Sequence, residues 1–229
     1  MSEHSRRAAP RNGWRRFDAQ RDLDRARRAL ARRDPRLRPI LAATGMPTLR
    51  RREAGFAGLA QIVVGQQLST ASAAAIWGRV HAAFDPFHPH AIRRATAERL
   101  GKLGLSAAKI KTLKHIADEI RAGRLDLDAL AEQDADVAHT RLTALHGVGP
   151  WTADVYLLFC LGHSDAWPAA DVAIQEGIRL GFGLGVRPGV KEMAELAAGW
   201  RPLRGAAAHL WWAHYRSARR PENRGTSPI

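Results

Sequence analysis

The sequence predicts an all-α fold, and three observations carry that prediction. Apolar residues recur at helical spacing through most of the 229 residues, no segment shows the apolar and polar alternation of a strand, and Ser, Asp, Pro and Gly stand where helices would start and stop. In chain order, residues 17–31 carry apolar positions at helical spacing among Arg and Asp, residues 56–68 form an apolar helix, and residues 71–84 form an Ala-rich one. Ser106 caps a helix running to Ile120 whose face is Ile110, Leu113, Ile116 and Ala117, with Lys109, Lys111 and Lys114 distributed around it. Asp134 caps a short helix to Ala144 and a glycine turn follows. Residues 150–161 then form the second helix of the pair, with Pro150 suited to its first position and Gly162 to its end. Residues 163–170 read as a loop and Asp171 starts a helix to Leu180. G-F-G-L-G-V-R-P-G at 181–189 is a long turn, and helices follow at 190–198 and 204–218.

The net charge of +14 points to a polyanionic partner, and its distribution narrows the inference. Residues 1–38 hold 13 Arg against 5 acids, residues 201–229 hold 6 Arg against 1 acid, and the long middle contributes only +1. Basic ends folded beside a phosphate-binding element would steer and hold a nucleic-acid backbone, with an affinity that falls as salt rises. The simpler reading of residues 1–12 and 217–229 is a pair of solvated, Arg-rich tails. No apolar run approaches the roughly 18 residues of a membrane span. The Arg-rich start lacks the hydrophobic stretch of a secretory signal, so a cytoplasmic chain with no membrane partner is expected. The single Cys160, in Y-L-L-F-C-L-G, reads as a buried thiol. The histidines at 81, 88, 90, 209 and 214 show no metal-binding spacing, and no metal or cofactor is expected.

The most specific segment is L-H-G-V-G-P-W-T-A at 145–153, followed by an isolated Asp171 twenty positions after Trp151. Gly147 and Gly149 let the backbone turn tightly with its N–H groups exposed. The helix that begins at Pro150 and continues through Thr152 presents partial positive charge at its start, so an anionic phosphate oxygen can bind there without a basic side chain. A grip of this kind reads no base sequence.

This pattern, L-x-G-V-G-x-W-T-A with a downstream Asp, resembles the helix-hairpin-helix DNA glycosylase superfamily, and within it the branch of bacterial DNA-3-methyladenine glycosylase II. I-V-V-G-Q-Q-L-S at 62–69 and W-R-P-L-R-G-A-A-A-H-L-W at 200–211 fit the same branch, and the likeness covers roughly residues 50–215. The resemblance implies two helical lobes with a helix-hairpin-helix motif and an active-site cleft between them. Residues 1–54 would be a basic segment with helices packing on the C-terminal lobe, 55–163 the central lobe with the hairpin, and 164–229 the C-terminal lobe carrying Asp171. It further implies base excision repair of damaged double-stranded DNA by a monomer associated with the nucleoid. Relatives with an iron–sulfur cluster use four cysteines, which this chain does not have.

The resemblance also assigns chemistry. Cleaving an N-glycosidic bond builds positive charge on the sugar, and a fixed carboxylate in a water-poor cleft stabilises that state, which makes Asp171 the expected catalytic residue. On the residues alone, Asp171 equally reads as an N-cap for V-A-I-Q-E-G-I-R, and Asp165 reads as a turn residue. Family members that also cut the strand place a Schiff-base lysine where this chain has Trp151, and none of its five lysines stands in a comparable place. A monofunctional hydrolase for alkylated purines is therefore expected, its cationic leaving group needing no general acid. Trp151 and Trp211 would wall the base pocket, with Trp77, Trp200 and Trp212 in core or surface roles. Gln67 aligns with the family's intercalating wedge, Leu68 being the other candidate. A glycosylase for a different damaged base, and a non-catalytic DNA-binding protein in which Asp171 only caps a helix, remain open at this point.

Overall fold

The computed structural model describes residues 16–45 and 47–219. Of the Arg-rich tails expected from the sequence, residues 1–12 and 220–229 lie outside the described residues. The fold is all-α. Among the described residues, the nearest thing to a strand is an isolated bridge between Arg16 and His163.

One lobe combines both ends of the described chain. Helix α1 (Gln20–Arg33) turns Leu23, Ala26 and Leu30 inward at helical spacing, and the Asp22 carboxylate closes its start by accepting from the Ala19 N–H at 2.9 Å. Helix α2 (Leu37–Thr44) is too short for a persuasive periodic signal and was not expected from the sequence. Asp34 sets its position by accepting from the Arg36 guanidinium and, at 2.9 Å, from the Trp200 indole N–H. Helices α10 (Val172–Gly181) and α12 (Arg204–Ala218) pack against each other, and α12 also lies on α1 and α2. Helix α11 (Val190–Ala198) completes this part of the chain.

The other lobe is built around α3 (Gly55–Gly65), which is apolar nearly all round and buries Phe56, Leu59, Ile62, Val63 and Val64. A helix without a polar face must be covered on every side. Helices α4 (Thr70–Ala82), α7 (Ala107–Arg121) and α9 (Pro150–Val155) cover it. The short α5 (Pro89–Arg94) and α6 (Ala97–Lys102) pack on α7, and α8 (Ala135–Thr143) leads into the glycine hairpin. The expected caps are present: Ser106 accepts from the Lys109 N–H, Asp134 from the Asp136 N–H, and Asp171 from those of Ala173 and Ile174.

Two departures from the sequence reading shape the site. Helix α3 stops at Gly65 rather than running to 68, because Gly65 to Leu68 closes a tight turn with the Leu68 N–H donating to the Gly65 carbonyl at 3.3 Å. The expected helix 150–161 is α9 followed by a π turn, Tyr156–Cys160, in which the Leu161 N–H reaches back five residues to the Tyr156 carbonyl at 3.2 Å. The extra residue rotates the segment so that Phe159 is only partly buried while Tyr156, Leu157, Leu158 and Cys160 enter the core.

Candidate active site and nucleic-acid interface

A cavity of about 200 Å³ opens between the two lobes. One wall is the α9 segment with Trp151, Val155 and Phe159, and the facing wall is α12 with His209, Trp212 and Arg216. The segment before α3 closes the mouth with Thr48, Arg50 and Arg52, and Asp171 forms part of the lining. His209, Trp212 and Arg216 follow one another by three and four residues, so a single helical face of α12 looks into the cavity.

Asp171 is 9% exposed, and four N–H groups converge on it. Its Oδ1 accepts from the backbone N–H of Ala173 and of Ile174, both at 3.0 Å, and from the Trp212 indole at 3.0 Å. Its Oδ2 accepts from the Trp151 indole at 2.8 Å. Oδ1 therefore caps α10, as the N-cap reading expects, and the same carboxylate also lines the cavity. Oδ1 already carries three donors, and each carboxylate oxygen offers about two lone pairs. Oδ2 is the oxygen with capacity left for a reacting group.

Both indoles that hold Asp171 contribute to the aromatic lining. The Trp212 ring centroid lies 5.2 Å from that of Phe159, and the Arg52 guanidinium sits over the Phe159 ring at 5.6 Å. The His209 ring meets Phe159 edge-on and points its Nδ1 at the Gly205 carbonyl 2.9 Å away. Burial pushes this imidazole down to about 4, so at neutral pH it is uncharged and donates through Nδ1.

The expectation for Trp211 is corrected. Its side chain is 0% exposed and packs against Phe182 and Trp200, away from the cavity. One residue along a helix is a rotation of about 100°, so matching W-W by sequence context selected the wrong member of the pair. The spacing of His209, Trp212 and Arg216 would have found the right one. Residues 47–52, outside the family-like segment except at their end, were missed as a wall because they carry no regular pattern. Asp165 sits in a turn as expected, and it is also 7% exposed and takes a bidentate pair from Arg204 at 2.9 Å on each oxygen.

The two hairpin glycines differ in what requires them. Gly147 adopts φ +79°, and a Cβ there would lie 1.9 Å from the Thr112 hydroxyl, so this position is fixed by the protein's own packing. Gly149 has an ordinary negative φ, and a Cβ there would meet nothing within 4 Å. Thr152 is 3% exposed and its hydroxyl accepts from Gln66, which leaves only its backbone N–H for an outside ligand. The first intrahelical bond of α9 comes from the Ala153 N–H, no side chain caps the helix, and the amides of Trp151 and Thr152 precede that bond. Gln67 is exposed at φ +56°, the one non-glycine residue with positive φ among those described, and its neighbour Leu68 is 38% exposed.

Among the described residues no group of three or more His, Cys, Asp or Glu side chains could hold a metal ion, and no helix is long and apolar enough to cross a membrane. The model of HhH-GPD superfamily base excision DNA repair proteins matches residues 60–202. This chain belongs to that superfamily. The HhH-GPD match runs from the middle of α3 past the end of α11, with the hairpin and Asp171 inside it. A Mycobacterium tuberculosis protein described as a bifunctional transcriptional activator and DNA repair enzyme is 33% identical over 191 residues, 78% of this chain. The chain spans 37% of that relative's length. A 3-methyladenine DNA glycosylase of Schizosaccharomyces pombe, solved with abasic DNA, superposes with a TM-score of 0.73 at 27% identity, covering 82% of this chain and 95% of that one. A DNA-3-methyladenine glycosidase of Bacillus halodurans superposes with a TM-score of 0.75 at 29% identity, covering 83% and 88%.

Proposed function

We propose that this HhH-GPD protein is a monofunctional DNA glycosylase that hydrolyses the N-glycosidic bond of alkylated purines of the 3-methyladenine type in duplex DNA, initiating base excision repair. The observation that carries the reading is the Trp151 indole donating to Asp171 Oδ2 at 2.8 Å, at the position where a strand-cutting relative needs a lysine. No lysine lines the cavity among the described residues.

The extruded base enters against Trp151, Phe159 and Trp212. The cavity is smaller than the roughly 300–1,000 Å³ of drug-sized sites and suits one base with its sugar at the mouth. Alkylation at a ring nitrogen makes the base cationic, which favours the aromatic faces and makes it a good leaving group without a general acid. As the bond lengthens, the sugar becomes oxocarbenium-like, and Oδ2 faces that charge while the two indoles keep the carboxylate from rotating. Water then adds at C1′, with Oδ2 positioned to orient it or take its proton, leaving an abasic site.

The grip on DNA is assigned to backbone amides rather than charge alone. The hairpin at Gly147 and Gly149 and the free amides at the start of α9, including that of Thr152, bind a phosphate. Gln67 fills the gap left by the extruded nucleotide. The protein acts as a monomer in the cytoplasm, on nucleoid DNA. Product analysis tests this reading: incubation with methylated duplex should release free 3-methyladenine, leave strands that break only after alkali, and give no adduct on borohydride reduction. A trapped covalent enzyme–DNA adduct would overturn the monofunctional assignment, and intact DNA with no released base would overturn the enzyme.

A further inference from the structure

The side chain next to the wedge joins it to the phosphate grip. Gln66 and Gln67 occupy the two central positions of the Gly65–Leu68 turn, with Gln66 at φ −56°, ψ 131° and Gln67 at φ +56°. That is type II geometry, whose third residue is ordinarily glycine because a Cβ strains the left-handed conformation. A glutamine held there needs the surrounding structure to over-determine it. Two anchors do so. The Lys109 ammonium donates to the Val64 carbonyl at 2.7 Å, just before the turn. On the other side, the Gln66 side-chain amide donates to the Gly147 carbonyl at 3.2 Å and to the Thr152 hydroxyl at 2.9 Å.

Those acceptors belong to the hairpin itself. The Val148 N–H donates to the Leu145 carbonyl at 3.1 Å, so with Gln66 on the Gly147 carbonyl both ends of the Gly147–Val148 peptide are held. Its plane sets the direction of the next amides, those offered to phosphate. One half-buried carboxamide therefore braces the hairpin and, through its own backbone, presents Gln67 outward.

We propose that Gln66 is a positioning residue that couples the gap-filling turn to the phosphate-binding hairpin, so that seating of the backbone and insertion at the extruded nucleotide occur as one event. The inference rests on the glycosylase reading of the wedge and hairpin. Its test uses a readout that does not depend on base release: a duplex with a tetrahydrofuran abasic analogue beside 2-aminopurine, whose fluorescence reports insertion. The wild-type protein should change that fluorescence on binding. Gln66→Ala should reduce the change as far as Gln67→Ala does, with the double variant no worse than either, since both remove the same event. Single-turnover release from methylated duplex should fall on the order of tenfold in Gln66→Ala, with affinity for abasic duplex falling more than affinity for undamaged duplex. Thr152→Val, which removes one acceptor and keeps the side-chain shape, should give an intermediate insertion signal at unchanged melting temperature. Additive losses in the double variant, or a Gln66→Ala variant that inserts normally, would overturn the coupling. An equal loss of affinity for undamaged and abasic duplex would reduce Gln66 to a brace of the hairpin alone. A wild-type protein that inserts but releases no base would sink the glycosylase reading and leave the coupling standing.

Discussion

The four donors on Asp171 divide its work between its two oxygens, and that division can be tested one indole at a time. Trp212→Phe keeps an aromatic wall and removes the 3.0 Å donor to Oδ1. A hydrogen bond to a charged group is worth about 1.5–3 kcal/mol, so single-turnover base release should fall roughly tenfold to a hundredfold with duplex binding unchanged. Trp211→Phe alters a fully buried ring outside the cavity and should lower the melting temperature while sparing the chemistry per folded molecule. If Trp211→Phe is the variant that loses excision at full stability, the assignment of the pocket wall is wrong. The sequence carried Asp171 and Trp151 plainly, because the hairpin motif fixes their context. It could not separate Trp211 from Trp212, since adjacent residues share a context and differ only in helical phase, and phase is set by what α12 packs against. The converging indole N–H groups were equally hidden, because they join positions 20 and 41 residues away from Asp171.

At the scale of elements, the hairpin separates two reasons for a glycine. Gly147→Ala forces a Cβ into Thr112 at positive φ and should destabilise the protein by about 2–4 kcal/mol, read as a drop in thermal midpoint. Gly149→Leu meets open space within the protein and should shift stability by no more than about 0.5 kcal/mol. Its side chain projects where a phosphate would approach the amides, so binding to damaged and undamaged duplex should weaken equally. Normal DNA binding by a folded Gly149→Leu variant would show that the backbone is not gripped there. Most helices were legible from periodicity and caps, but α2, α5 and α6 were not, being at most eight residues long and held by contacts with α12 and α7. The π turn after α9 was also invisible, because the extra residue leaves the apolar run Y-L-L-F-C-L unchanged and alters only which members face the cavity.

Across the whole molecule the lobes also meet outside the cavity lining, in a charged network. Arg204 pairs with Asp165 and Asp136, Arg201 pairs with the same two carboxylates, and Asp154 stands 3.7 Å from His139. Burial pushes the Asp154 carboxyl up to about 8, helped by the repulsion of Asp136 and opposed by the attraction of Arg204 and by the Trp167 backbone N–H it accepts from. The unfolded carboxyl titrates near about 3.9. Between these values the folded protein keeps a proton that the unfolded chain has lost, so this group's contribution to stability declines as pH rises from 4 to 8. Asp154→Asn should flatten the fall in melting temperature across that window and raise it by several degrees at pH 8, whereas parallel curves for the two proteins would remove Asp154 from the account. Among the described residues the same architecture presents one carboxylate, that of Asp171, to the cavity. Single-turnover release of 3-methyladenine from methylated duplex by Asp171→Asn, measured beside wild type with affinities for the same duplex, is the direct test. The account predicts a loss of at least a hundredfold in release with affinity nearly unchanged. Release within tenfold of wild type would contradict it.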